Sequence, residues 1–261
     1  STGIATGSAC AASAAGVEAG TFSPGWAAPQ LAEAKAAGNR ASLRTIARML
    51  SGSPSADFAA RFAPAPLVAG VDEAGRGPLA GPVVGAAVVL CKTLVPGLDD
   101  SKRLSPAARA EAEARIRERC AFGIGVVGVE EIDQRNIFGA TMLAMLLAMQ
   151  QLCAALGADC AEVLVDGNLT PQGRVAGWRW RARGLVGGDG LEPAIMAASI
   201  LAKEHRDRLM RAAARDHPLY GWERNKGYPT PDHLAALRRH GPSPLHRRSF
   251  APVAQAELFA K

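Results

Sequence analysis

No two of the five cysteines in this 261-residue chain stand in a Cys-x-x-Cys spacing, and their number is odd. Cys10, Cys91, Cys120, Cys153 and Cys160 therefore argue against a disulfide framework and against a zinc ribbon. They read as reduced thiols, and the cytoplasm is the expected compartment. His205, His217, His233, His240 and His246 likewise lack metal-ligand spacing and read as surface or packing residues, with His246 set apart as an exception by its place in Ser-Pro-Leu-His-Arg-Arg-Ser-Phe. Long hydrophobic runs are missing too. The longest, Ile137 to Met149, falls short of the roughly 20 residues a bilayer span needs and runs into Gln150-Gln151, so a buried helix and no membrane are expected. The opening Ser1-Thr2-Gly3-Ile4-Ala5 lacks the basic stretch of a secretory signal, and no internal repeat is visible.

What is present is a soluble composition, 48% hydrophobic and 21% charged, enough for a real core. The net charge of +6 is unevenly placed: residues 174–261 hold 16 basic and 8 acidic side chains, whereas 1–173 are slightly acidic. A basic C-terminal third is what a polyanionic partner requires. Residues 1–65 are rich in Ala, Gly and Ser and bury little surface against their ordering entropy. They read as a loose N-terminal arm, with one short helix at Ala41–Leu50 from its apolar spacing. The folded domain is expected over 66–261, as a monomer.

Within that domain, apolar runs at 67–71, 83–90, 122–129 and 162–166 read as strands, and a fifth ends near Val186. Helices are expected from Ser105-Pro106 through Arg119, with Ser as cap and Pro in the first turn, and over 130–156, 193–215 and 231–239. Strands first in hairpin order and then alternating with helices predict a mixed α/β sheet of about five strands, flanked by helices.

Acids punctuate the strand ends: Asp72-Glu73, Asp166 and Asp189. If the strands bearing Asp72 and Asp166 are parallel neighbours, both carboxylates emerge at one sheet edge, where α/β sheets bind ligands. Four carboxylates crowded together raise one another's pKa. Two hard divalent cations, Mg²⁺ or Mn²⁺, resolve that conflict and suit phosphodiester hydrolysis. The glycines of Gly75-Arg76-Gly77-Pro78-Leu79-Ala80-Gly81 superficially suggest a dinucleotide loop. Their spacing is wrong, and Pro78 and Pro82 block the helix whose N-terminus should hold a pyrophosphate.

Six segments, VAGVDEAGRGPLAGPVV (68–84), DDSKRLSP (99–106), VLVDGN (163–168), AASILAKEHRDRLM (197–210), NKGYPTPDHLAAL (225–237) and SPLHRRSFAPV (243–253), closely resemble the ribonuclease HII family and occur in its order. The resemblance implies a ribonuclease H-like fold with a helical C-terminal segment. It implies metal-holding acids at Asp72, Glu73, Asp166 and Asp189, and cutting on the 5′ side of ribonucleotides in duplex DNA and of RNA in RNA–DNA hybrids, leaving 3′-hydroxyl and 5′-phosphate ends. It also implies that Gly75, Arg76 and Gly77 recognise the 2′-hydroxyl and a neighbouring phosphate, and that Tyr228 stacks on substrate.

The chemistry of those residues agrees. Only the 2′-hydroxyl marks a ribonucleotide, and glycine backbone can approach a sugar more closely than any side chain allows. Lys102 and Arg103 are expected on phosphates, and Ser199 and Lys203, one helical turn apart, are expected to face the nucleic acid together. The chain departs from the family at Gly190-Leu191-Glu192, where a lysine is common, at Met196, and at Glu204-His205, where a Val-Thr type pair is common. A ribonuclease HIII-like enzyme and a non-catalytic hybrid-binding protein are the alternatives. Asp189, Tyr228 and the low-complexity arm weigh against the first, and the four intact acids against the second.

Overall fold

The structure is a computed structural model that describes residues 66–91 and 95–259. The expected arm and its helix at 41–50 lie outside the described residues. In chain order the elements are β1 (Val68–Ala74), β2 (Val83–Val89), α1 (Pro106–Arg119), β3 (Ala121–Val127), α2 (Val129–Leu156), β4 (Glu162–Asp166), β5 (Ala182–Leu185), a 3₁₀ turn (Gly188–Gly190) and α3 (Pro193–Asp216). After a second 3₁₀ turn (Pro218–Tyr220) come α4 (Trp222–Asn225), α5 (Pro231–His240) and α6 (Ala251–Phe259). The five strands form one mixed sheet in the order β3-β2-β1-β4-β5. β1 and β2, and β2 and β3, pair antiparallel, whereas β1–β4 and β4–β5 are parallel.

Helices cover both faces. α2 buries Met145, Met149 and Leu152 against Val71, Val163 and Val165, each such side chain contributing about 1.5–3 kcal/mol. α1 and α3 cover the other face through Ile116, Ile200 and Leu201 against Val84, Ala86 and Val88. α2 lies almost backbone to backbone on the sheet. A Cβ on Gly85 would stand 2.8 Å from the Ala144 carbonyl carbon, and one on Gly123 only 2.1 Å from the Ala148 oxygen. Glycine on the strand and alanine on the helix thus set the layer spacing. By length and composition α2 could cross a membrane, but its packing makes it the core helix.

Three features differ from expectation. The strand does not stop before the acids: β1 continues to Ala74, pairing Asp72 with Ala86 and Glu73 with Gly85. α2 is broken at Asn136 (φ 60°, ψ 168°), whose Oδ1 accepts from the amides of Phe138 and Gly139. Asn136 therefore caps a second helix within the apolar run. The sequence reading also had no element at Ala251–Phe259, which is helical. Ser105 caps α1 as expected, its Oγ accepting from Ala108 N at 3.2 Å.

Gly123→Ala should lose about 1–3 kcal/mol of stability in urea denaturation. Gly128→Ala, with nothing within 4 Å of the added carbon, should stay within about 0.5 kcal/mol of wild type.

Candidate active site

β1 and β4 run parallel, with Val71 opposite Val165. Asp72 and Asp166 are the next residue on each strand, and alternation sends both to the α3 face at one end of the sheet. Glu73, one residue on, meets Arg76, Nη1 to Oε1 at 3.2 Å, and its carboxylate also interacts with those of Asp72 and Asp166. Asp189 arrives on the 3₁₀ turn, its amide donating to Asp166 Oδ1 at 3.3 Å. Gly188 permits that approach, because a Cβ there would stand 2.6 Å from Ile195 Cδ1 and 3.4 Å from Asp166 Oδ1.

Asp72 is 6% exposed. Burial first, then the charges of Glu73 and Asp166, hold its carboxyl well above the ordinary range. Burial also raises Glu73, against the opposing pull of Arg76. Lys102 Nζ donates to Asp189 Oδ2 at 2.8 Å, and that bond raises its own pKa. The four sequence-predicted acids are thus mutual neighbours at one sheet end. Among the described residues, however, no three His, Cys, Asp or Glu side chains already surround a single point as a metal cage. Two of the four are turned to basic partners, Glu73 to Arg76 and Asp189 to Lys102. The donor set still fits hard divalent cations: it is all oxygen, and its buried members are destabilised by charge that a cation would neutralise.

Arg76 and the flanking Gly75 and Gly77 leave β1 on a loop that two buried arginines hold from below. Arg247, fully buried, donates to the carbonyls of Gly75 (2.6 Å), Gly81 (2.9 Å), Arg76 (3.0 Å) and Pro82 (3.2 Å). Arg206, 1% exposed, donates to Pro82 (3.0 Å), Lys226 (3.0 Å) and Ala80 (3.1 Å). Gly75 sits at φ 99°, and a Cβ there would meet Arg206 Nε at 2.1 Å. The same loop is sewn to the C-terminal part by Leu79 N to Gly227 O and Gly81 N to Leu245 O, both 2.8 Å. This brings Tyr228, 41% exposed, beside Gly77: its ring carbon Cε1 would lie 3.7 Å from a Cβ added there. Arg206 lies 5.8 Å from the ring centroid of Tyr228.

Two expectations change. Ser199 does not face outward. It is buried, shares a 2.8 Å hydrogen bond with Ser101 Oγ and also bonds the Asp72 carboxylate, so it steadies an acid. Lys203 is turned along α3 to Asp207, with both oxygens at 2.7 Å. Sequence reasoning missed Arg206 and Arg247, which look like surface charge in HRDRLM and LHRRSF. It also took His233 as a surface or packing residue and set His246 apart only for its segment, without seeing their link. Ser243 N donates to His246 Nδ1 at 2.9 Å, so the His246 proton is on Nε2 and is donated to His233 Nε2 at 3.1 Å. Trp222 Nε1 donates to the same atom at 3.1 Å. His233 then carries its proton on Nδ1 and donates it to the Tyr228 carbonyl at 2.9 Å. Every donor and acceptor is used only if both rings are neutral.

A mixed five-stranded sheet with acids clustered at one strand end and a basic flank defines a nuclease of the ribonuclease H-like class. The ribonuclease HII family model matches residues 69–253. The chain is 70% identical over 192 residues to the ribonuclease HII of Novosphingobium aromaticivorans, covering 73% of this chain and 98% of that protein. It is 61% identical over 211 residues to that of Erythrobacter litoralis, covering 81% and 100%. Among solved structures it is similar to ribonuclease H2 of Pyrococcus horikoshii (TM-score 0.60, 24% identity, 73% of this chain and 97% of that one). It is also similar to the Archaeoglobus fulgidus ribonuclease HII solved with PCNA (TM-score 0.54, 26% identity, 66% and 87%). The chain belongs to the ribonuclease HII family. It is a metal-dependent endoribonuclease of the type 2 ribonuclease H kind, acting on RNA–DNA hybrids.

Arg247→Met strips the donor from four loop carbonyls and should cost about 3 kcal/mol or more in urea denaturation. The histidine pair gives a pH signature. Burial holds His246 down at about 3 and lowers His233, against about 6.5 unfolded. Their stabilisation is complete above that unfolded value and is lost as pH falls below it, because the unfolded state takes up protons first. The stability-versus-pH slope of wild type should therefore exceed that of His246→Gln by about 1.4 kcal/mol per unit between pH 6 and 4.

Proposed function

We propose that Asp72, Glu73, Asp166 and Asp189 hold two divalent ions, Mg²⁺ or Mn²⁺, and that the bond cut lies on the 5′ side of a ribonucleotide. The observation that supports this reading is the in-register parallel pairing of Val71 with Val165, which carries Asp72 and Asp166 to the same face and edge. Bound there, the ions would activate a water and stabilise the departing oxygen. The water oxygen joins phosphorus, the bond from phosphorus to the upstream O3′ breaks, and the products carry a 3′-hydroxyl and a 5′-phosphate.

The remaining roles belong to the chain's own groups. The backbone around Gly75 and Gly77, rigid because Arg206 and Arg247 hold its carbonyls, reads the 2′-hydroxyl as donor and acceptor. Arg76 sits where it can reach the adjacent phosphate, and the exposed face of Tyr228 packs on the neighbouring sugar. Lys102 and Lys203 contribute positive charge along the strand that is cut, Ser199 orients Asp72, and the basic C-terminal third takes the rest of the duplex backbone. We assign catalysis to residues 66–261, working as a monomer in the cytoplasm away from any membrane. The family match beginning at residue 69 supports leaving 1–65 outside it.

Asp72→Asn keeps an acceptor for the Glu73 amide but removes a buried charge held at a raised pKa. In chelator its Tm should rise by a few degrees, about 1 kcal/mol. Its cleavage of a duplex with one ribonucleotide should fall by about 10³-fold or more while duplex binding persists. Asp166→Asn should also stop cleavage. Millimolar Mn²⁺ should raise the wild-type Tm by mass action, and that increment should vanish in Asp72→Asn. Near-normal cleavage by Asp72→Asn would sink the assignment.

A further inference from the structure

Arg109 on α1 and Glu204 on α3 form an ion pair in the interior, Nε to Oε1 at 2.6 Å, with side chains 11% and 7% exposed. Glu204 stands at one of the positions where the chain departs from its family's pattern. The second arm of the guanidinium does something else. Arg109 Nη1 donates to the carbonyls of Ser101 (3.0 Å) and Leu104 (3.4 Å), which bracket Lys102 and Arg103. One planar fork therefore grips both sides of a short loop while Glu204 fixes the fork. The loop has little else of regular structure to hold it: its internal bonds are Arg103 N to Asp100 O (2.9 Å), Leu104 N to Asp100 O (3.3 Å) and Lys102 N to Asp100 Oδ1 (2.9 Å).

That loop touches two separate parts of the carboxylate site. Lys102 Nζ reaches Asp189 Oδ2 at 2.8 Å. Ser101 Oγ shares its 2.8 Å bond with Ser199 Oγ, which bonds Asp72. Asp72 rides on β1 and Asp189 on the 3₁₀ turn beyond β5, elements that do not pair in the sheet. Neither Arg109 nor Glu204 is within the site itself.

We propose that Arg109, oriented by Glu204, is a positioning residue of the nuclease: it sets the Asp100–Leu104 loop so that Ser101 and Lys102 hold Asp72 and Asp189 in register. The proposal rests on the carboxylate reading above. Arginine is required and not merely a positive charge, because one ammonium cannot serve Glu204 and two carbonyls at once. A loop free to shift by about 1 Å would cost 10- to 100-fold in rate.

The test separates positioning from fold maintenance. Arg109→Met/Glu204→Leu replaces the buried pair by apolar side chains, a change that need not destabilise, and should melt within about 3 °C of wild type. Arg109→Lys keeps the charge and serves if the double variant does not fold. Either should lower kcat/KM on a single-ribonucleotide duplex by about tenfold or more. Adding Lys102→Met to Arg109→Lys should cost less than about threefold further, against about tenfold in wild type, since the two act through one loop. Wild-type kcat/KM in a folded variant, or losses that multiply independently, would overturn the proposal. Asp72→Asn run alongside distinguishes the two claims: if it still cleaves, the carboxylate reading fails, whatever Arg109 does.

Discussion

Two buried guanidinium groups organise the glycine loop beside the carboxylate cluster of this enzyme. Arg206 and Arg247 are all but inaccessible to water and spend their donors on backbone carbonyls of residues 75–82 and 226. Burial of a charge is costly unless hydrogen bonds replace its hydration, and the carbonyl dipoles of one tight loop supply them. Burial still lowers the pKa of Arg247 to about 9, so the solvation is incomplete. The return is geometric. A loop rich in glycine and proline has few side chains with which to hold its own shape, and six fixed carbonyl bonds give it one. The residues named for reading a 2′-hydroxyl are backbone groups, so their accuracy is the accuracy of that loop.

The chemical side follows the opposite logic. Burial holds Asp72 and Glu73 above their ordinary pKa, helped by the charges of Glu73 and Asp166 on Asp72 and of Asp166 on Glu73, so the folded protein carries repulsion that lowers its stability. Lys102, Arg76 and Ser199 relieve part of it from three directions. Catalytic acids are commonly kept in such strain because relaxing it would remove the affinity for cations. The same protein thus uses buried positive charge where it needs rigidity and crowded negative charge where it needs a ligand.

Much of this was legible in the residues. Ser105-Pro106 announced α1 to the residue, and the apolar runs leading into Asp72 and Asp166 put both acids at one edge on the condition, met in the structure, that their strands are parallel neighbours. What stayed hidden was long-range. A strand that carries Asp72-Glu73 onward to Ala74 is stabilised by antiparallel pairing with β2, a partner that local pattern cannot weigh. Asn136, just before the apolar run, reads as one more polar residue of a continuous helix until its carboxamide is seen capping the second half. Arg206, Arg247 and Glu204 are charged and look solvated, because hydropathy says nothing of the distant carbonyls that satisfy the two arginines or of the Arg109 guanidinium that pairs Glu204. Ser199 carried a correct signal and a wrong direction: helical spacing with Lys203 was right, but the face it shares points at Asp72.

α3 is where the two halves meet. Ser199, supporting Asp72, and Arg206, supporting the glycine loop, are seven residues apart, two turns of one helix and nearly the same azimuth. Met210, a further turn on, lies under Gly81, where a Cβ would meet its sulfur at 2.2 Å. At the other end Gly70 lets the first turn of α3 lie against β1, a Cβ there standing 2.2 Å from the Ala194 carbonyl carbon. The helix is pinned to β1 at Gly70 and to the glycine loop at Gly81, so Ser199 and Arg206, the supports of Asp72 and of that loop, stay a rise of about 10 Å apart along one axis. On the function proposed for these residues, a ribose would be read at one end of that span and a phosphate attacked at the other. Because those groups are covalently fixed in the substrate, the helix, more than any single contact, would on that proposal make recognition of a 2′-hydroxyl and hydrolysis of the adjoining bond a single event.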